Sequence, residues 1–310
     1  RHDAAADRQE QEEGADELKL GMRWVLEHHR PLIDAELALN EGGSVAVRNG
    51  KPIWNSIQTS EKLYQDFWLE VRNRGGHSSQ PRRDNAIFEL SQALTRLAAH
   101  EFPLEFNATT RLYFERMSAL ESGQTAADMK AIIAPVPDAA ALARLSALPP
   151  YNAQLRTTCV ATRLNGGHAD NALPQQARAM LNCRILPGHS ADEVRAELMR
   201  IIANDNVAVI ADPADTPSSP SPLDPRVMKP IEQLTQKFWP GIPVLPVMGA
   251  GATDSRFLRN AGIASYGNSG LAGDMFDNRA HGQDERILVK SFREGQEYLY
   301  QLVKLIAGGR

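Results

Sequence analysis

Apolar and polar positions fall into runs of two periods, helical and alternating, separated by breaks rich in Gly, Pro and Ser. Residues 1–19 are polar and rich in Ala, Glu and Gln, the pattern of a solvated tail. "GMRWVLEHHRPLI" then repeats apolar residues at helical spacing (Met22, Val25, Leu26) and stops near Pro31. "AELALNEGG" and "GSVAVRNGKPI" read as short strands joined by turn residues. From Glu61 the character changes. "KLYQDFWLEVRNRGG" alternates roughly as a strand does, and "DNAIFELSQALTRLAAH" sets Ile87, Leu90, Leu94 and Leu97 along one side of a helix. A long, less regular stretch follows, including residues 134–150. Strand-like "RTTCVATRLNGG" and "ARAMLNCRILPG" then flank a loop, before the helix "SADEVRAELMRIIAND" and the strand "VAVIAD".

"PADTPSSPSPLDP", residues 213–225, reads as a linker, because Pro and Ser neither pair in a ladder nor fill a core. Beyond it come the helix "RVMKPIEQLTQKF", the strand "IPVLPVM", a Gly-rich turn into a helix in "GAGATDSRFLRNAG", and the long amphipathic helix "VKSFREGQEYLYQLVKLIA". The expected architecture is α/β: a sheet domain built from residues 1–60 and 213–310, with an α+β domain, residues 61–212, inserted into it.

At 310 residues the chain is long enough for two cores. A net charge of -4 gives no footprint for nucleic acid or an anionic membrane. Its longest apolar runs are far short of a membrane span, so the chain reads as soluble. The first residues lack the pattern of a signal peptide, and the compartment is not legible. Cys159 and Cys183 are the only cysteines, which suggests neither a disulfide framework nor a thiolate zinc cluster, so any metal would be held by His and carboxylates.

Several residues carry candidate chemistry, each beside a plainer reading. Glu41 ends an apolar strand and precedes two glycines that let a backbone or ion approach; alternatively it is a charged turn residue. His281, in "DNRAHGQDERI", suits zinc, with Asp277, Asp284 and Glu285 near to orient its second nitrogen, or it is a surface histidine. His77, on the turn "GGHSSQP", can donate a hydrogen bond to a developing oxyanion or can cap the following turn. Asn171 lies in a Gly-rich loop. Arg184 can grip a carboxylate bidentately or form a structural ion pair. Glu12 and Glu13 are adjacent, so one can bind a metal while the other acts as general base, or both are solvated charge.

Taken in order, "ALNEGG", "GGHSSQPRRDNAI", "GHADNALP", "NCRILPG", "GATDSRFLRNAGI" and "RAHGQDERI" resemble the aminoacylase, carboxypeptidase S and glutamate carboxypeptidase family of co-catalytic zinc exopeptidases and deacylases. The resemblance runs from about Gly21 to the C-terminus. It implies a zinc-exopeptidase-like mixed sheet with helices on both faces and an inserted lid and dimerisation domain. It also implies a homodimer, two zincs per subunit, and hydrolysis of the amide bond of N-acyl amino acids or short peptides with a free carboxylate.

On that basis Glu41, His281 and Glu13 are metal ligands and Glu12 is the general base. His77 stabilises the tetrahedral intermediate in a neighbouring subunit, and Asn171, Arg184 and Arg256 bind the substrate carboxylate. The family's early His-x-Asp motif and its bridging Asp do not occur upstream of Glu41, and Gln11 stands where the family's "DEEGG" begins. The expectation is therefore of a sheet domain incomplete at its N-terminal side. The alternative is an inactive C-terminal portion that keeps only the lid and dimerisation role.

Overall fold

The computed structural model describes residues 21–308 apart from 214, 215, 275, 276, 278, 280 and 281. The chain divides into two compact units. Arg1–Ser60, Ser218–Val247 and Thr253–Arg310 make the first, and Glu61–Pro217 with Met248–Ala252 the second.

The first unit opens with helix α1 (Met22–His28) and strands β1 (Leu37–Asn40), β2 (Val45–Arg48) and β3 (Lys51–Glu61). Asn49 and Gly50 join β2 to β3 with φ of 51° and 75°, the backbone that a tight hairpin needs and that Asn-Gly adopts with little strain. Later segments add helix α8 (Pro225–Phe238), strand β10 (Val244–Gly249), helix α9 (Ser255–Asn260), strands β11 (Ala264–Gly267) and β12 (Ala272–Asp274), and helix α10 (Val289–Ala307). The sheet order is β1-β11-β3-β2-β12, with β10 also on β3. Pairings β1–β11 and β2–β12 are parallel, whereas β3 runs antiparallel to β2 and β11. The core brings Val45 and Ile57 of the sheet against Ile231 and Leu234 of α8 and Tyr298 and Leu302 of α10.

A polar network lies inside this core. Asn55 Nδ2 donates to Thr235 Oγ1 (2.9 Å) and Tyr298 Oη (3.1 Å), Asn268 Nδ2 to Asn55 Oδ1 (3.0 Å), and Tyr298 Oη to Asn268 Oδ1 (2.7 Å). Burial pushes the Tyr298 phenol up to about 12, so it stays a donor throughout the working pH range. Replacing Asn55 with Leu orphans several partners at once. The expected loss is about 2 kcal/mol in urea unfolding, and an unchanged midpoint would mean the network is dispensable.

The second unit contains strands β4 (Leu63–Arg72) and β5 (Gly76–His77), helices α2 (Ala86–Ala98), α3 (Ala108–Leu120), α4 (Gly123–Ile132), α5 (Ala139–Ser146) and α6 (Pro149–Leu155), strands β6 (Thr158–Gly166), β7 (Ala172–Leu173) and β8 (Gln176–Ile185), helix α7 (Ala191–Ile202) and strand β9 (Val207–Ala211). Strands β6-β8-β4-β9 form an antiparallel sheet, which with α2 and α7 gives the split βαβ arrangement. Strand alternation buries Phe67, Leu69, Val71, Leu181 and Ile185 in one core with Leu90 of α2 and Val194 and Leu198 of α7. Asn85 caps α2, and Ser190 with Glu193 forms a capping box on α7.

Three sequence expectations are corrected. The less regular stretch before Tyr151 is helical, and three of its four helices are started by a local device: a capping box of Asn107 with Thr110 on α3, Asp138 accepting from Ala141 N on α5, and Pro149 at the first turn of α6. The supposed linker is partly buried, since Ser221 N donates to Thr59 O (2.8 Å), Ser221 Oγ to Ser265 O (2.7 Å) and Arg259 Nε to Ser218 Oγ (3.2 Å). Serine does fill an interior when its hydroxyl is paired. Finally, Cys159 and Cys183 stand opposite each other on β6 and β8 and are bonded as a disulfide.

Candidate functional site

Glu41 lies one residue beyond β1, at the carboxyl tip of a parallel pair that aligns Leu37 with Ala264 and Asn40 with Gly267. Such strand ends are where sites gather in α/β sheets. Its carboxylate is exposed, and the two following glycines have φ of +102° and +55°. A Cβ on Gly43 would meet Gly267 O at 2.3 Å and Ser56 O at 2.5 Å, and one on Gly267 would meet Glu41 O at 2.2 Å. Backbone thus packs on backbone, and Gly43 O is held by Ser269 N (3.1 Å) and Ser269 Oγ (2.8 Å). One residue before Glu41, Asn40 Nδ2 donates to Ser255 Oγ (3.0 Å), and Ser255 is buried and bonded to Ser265 Oγ (2.9 Å). This link ties the strand tip to the start of α9 and brings the residues next in sequence, Glu41 and Arg256, to one end of the sheet. The Arg256 guanidinium lies over the Phe257 ring at 4.6 Å.

In the second unit, β5 and β7 pair His77 with Ala172, and Ser78 N donates to Asn171 O (2.9 Å), so His77 and Asn171 are neighbours. Ser79 N donates to His77 Nδ1 (3.2 Å), and Ser79 Oγ lies 2.8 Å from the same nitrogen. With Nδ1 accepting from Ser79 N, the ring proton is assigned to Nε2, and the exposed ring offers that N–H as a donor. Arg184 does not join this pair. It stands at the far end of β8, about 27 Å along the strand from Gln176. There its guanidinium lies over Tyr64 at 4.4 Å and donates to Ala250 O (3.0 Å) and Asn182 Oδ1 (3.3 Å).

Beside Arg184 the sequence reading missed Lys62, which is 1% exposed and donates from Nζ to Arg156 O (2.6 Å). Burial, then the charge of Arg184, lowers its pKa to about 7. Alternation would have set Lys62 outward with exposed Tyr64, so no pattern in the sequence marks it.

Glu12, Glu13 and His281 lie outside the described residues. Of the carboxylates considered for His281, Asp277 accepts from Arg279 Nε (2.5 Å) and Arg286 Nη2 (3.1 Å), and Asp284 is paired with Arg279. These pairs hold the Asp277 carboxyl below its usual range, so both groups serve arginines. Among the described residues no group of three or more His, Cys, Asp or Glu is placed to hold a metal. Glu41 alone does not make a zinc site, which takes three or four protein ligands.

Residues 59–209 match the M20 peptidase dimerisation domain. The chain is 30% identical over 266 residues to carboxypeptidase S-like 2 of Dictyostelium discoideum, covering 82% of this chain and 49% of that protein. It is 28% identical over 285 residues to the human N-fatty-acyl-amino acid synthase/hydrolase PM20D1, covering 86% of this chain and 54% of that protein. It thus spans about half the length of these curated relatives. Among solved structures, the M20 family metallo-carboxypeptidase Sso-CP2 from Sulfolobus solfataricus superposes with a TM-score of 0.64 at 16% identity, over 92% of this chain and 66% of that one, a likeness of fold. The chain thus carries a peptidase dimerisation domain of the M20 type and resembles a carboxypeptidase S-like protein over 82% of its length.

Proposed function

We propose that the chain serves a zinc-dependent hydrolase of amide bonds in N-acyl amino acids or short peptides with a free carboxylate. The observation that carries this reading is Glu41: an exposed carboxylate at a parallel strand's carboxyl tip, on a loop whose shape is set by backbone packing against Gly267. In this reading Glu41, Glu13 and His281 are metal ligands and Glu12 is the general base. Asn171, Arg184 and Arg256 are substrate-binding residues, and because β8 holds Asn171 and Arg184 of one chain apart, those two serve different copies of the site. His77 Nε2–H supplies a hydrogen bond to the oxyanion, a role supported by the contact that Ser79 N makes to the other ring nitrogen.

The sheet domain, residues 1–60 and 213–310, is the catalytic part, and residues 61–212 are the lid and dimerisation part. A homodimer through the latter is supported by the free edge of β6, which among the described residues pairs only with β8 and exposes Val160 and Leu164. His77 would then act in the neighbouring subunit's site.

The test is zinc content of the purified chain after dialysis, measured with hydrolysis of a panel of N-acyl amino acids. Glu41→Gln is expected to lose zinc and turnover together. His77→Ala is expected to keep zinc while kcat falls about 100-fold, the size of one lost oxyanion donor. A chain that neither binds zinc nor turns over any substrate would replace this reading with that of an inactive dimerising portion.

A further inference from the structure

The carboxyl end of β4 and the start of β8 enclose a cleft of about 460 Å³ lined by Arg72, Asn73, Arg74, Gln175 and Gln176. Each of these side chains can donate a hydrogen bond, and none is acidic or apolar. A lining without apolar side chains disfavours an uncharged organic ligand, which needs a surface to bury against. The ladder sets Arg72 directly opposite Gln176, and Asn73 N donates to Gln175 O (2.9 Å), so the two segments stand side by side. Arg72, Arg74, Gln175 and Gln176 are all exposed, and a solute can reach them.

The fold leaves these donors unspent. Arg74, Gln175 and Gln176 make no ion pair or side-chain hydrogen bond among the described residues. Arg72 uses Nε alone, on Glu70 Oε1 (2.5 Å), which leaves both of its terminal nitrogens unbonded. The neighbouring carboxylates are already engaged. Glu70 also faces Arg178 Nε at 3.0 Å, and Asp84 accepts from Arg82 Nε (2.9 Å) and Asn73 Nδ2 (3.3 Å). Further along the same strands, Arg163 and Arg178 lie over the Trp68 ring at 5.5 and 4.4 Å. Arg72, Arg74, Arg163 and Arg178 thus share the single carboxylate of Glu70, and such an excess of one sign draws counter-ions even in a chain whose net charge is -4. A compact dianion can bridge two guanidiniums, whereas a monoanion satisfies one.

We propose that this cleft binds a compact dianion, supplied by a phosphate monoester or a short dicarboxylate. Its oxygens accept from the terminal nitrogens of Arg72, from the Arg74 guanidinium and from the amides of Gln175 and Gln176. Binding here requires neither zinc nor turnover.

Equilibrium dialysis of the 310-residue chain against inorganic phosphate, succinate and acetate, at pH 8 and constant ionic strength, tests this. Phosphate or succinate is expected to saturate one site per chain at least about tenfold more tightly than acetate, and the tighter of the two identifies the source. Arg74→Gln is expected to weaken that binding about tenfold with an unchanged thermal midpoint, because this guanidinium bonds nothing in the fold. Gln176→Glu, which sets a carboxylate opposite Arg72, is expected to abolish saturation. Glu41→Gln is expected to bind as wild type does, which separates this cleft from an anion held by a metal. Absence of saturation, equal affinity for acetate, undiminished binding in Arg74→Gln, or loss of binding in Glu41→Gln would overturn the proposal.

Discussion

Gly267→Ala is expected to destabilise the protein by about 3 kcal/mol or more, although it adds a single methyl group. That methyl would stand 2.2 Å from Glu41 O and 2.9 Å from Gly42 Cα, both backbone atoms that no rotamer change can move aside. Either β11 moves away from β1, or the Glu41 loop is displaced, and both routes shift the exposed carboxylate. Gly50→Ala is the control: its φ is +75°, yet nothing lies within 4 Å of the added carbon. It should therefore cost only about 1 kcal/mol, the penalty of a left-handed backbone. Urea unfolding of the two variants separates steric from conformational cost, and equal losses would remove the claim that backbone contact shapes this tip.

Lys62→Met is expected to stabilise the protein at pH 6 and to lose that advantage as the pH rises. The native amine titrates at about 7 and the unfolded one near 10.5, so between those values the unfolded state holds the extra proton. Wild-type stability therefore climbs from pH 7 to 10.5, and below pH 7 burying the charge costs roughly 3–5 kcal/mol. The bond from Nζ to Arg156 O offsets part of that cost, which places the expected gain at the lower end. Unfolding free energies of wild type and variant at pH 6, 8 and 10 should converge. Parallel curves would show that the ammonium is solvated in the native state.

The elements that the sequence displayed are those whose burial is apolar and periodic. β4 and β8 alternate, and α2, α7, α8 and α10 carry apolar stripes, so hydropathy alone outlines them. β3 escaped as an 11-residue strand because its buried positions include Asn55, Ser56, Gln58, Thr59 and Ser60, whose burial hydropathy does not register. α3 and α4 escaped because their apolar stripes are weak, and α5 and α6 because each spans eight residues or fewer, with Ser-Gly or Pro between them. At the candidate site, the glycines after Glu41 announced a close approach but not its partner, Gly267, which the fold alone supplies. Likewise, Asn171 and Arg184 are near in sequence, yet an extended strand holds them apart.

Among the described residues strand β1 pairs in parallel only with β11, so Leu37 must wait for Ala264 before that pairing forms. The split βαβ unit has no such delay, because all of its sheet lies between Leu63 and Ala211. Loop closure over so long a separation is slow, whereas a contiguous unit can collapse as it leaves the ribosome. Synthesis order thus sets assembly order: the inserted unit matures first, its folding shortens the effective tether between β1 and β11, and the strand tip bearing Glu41 is completed last.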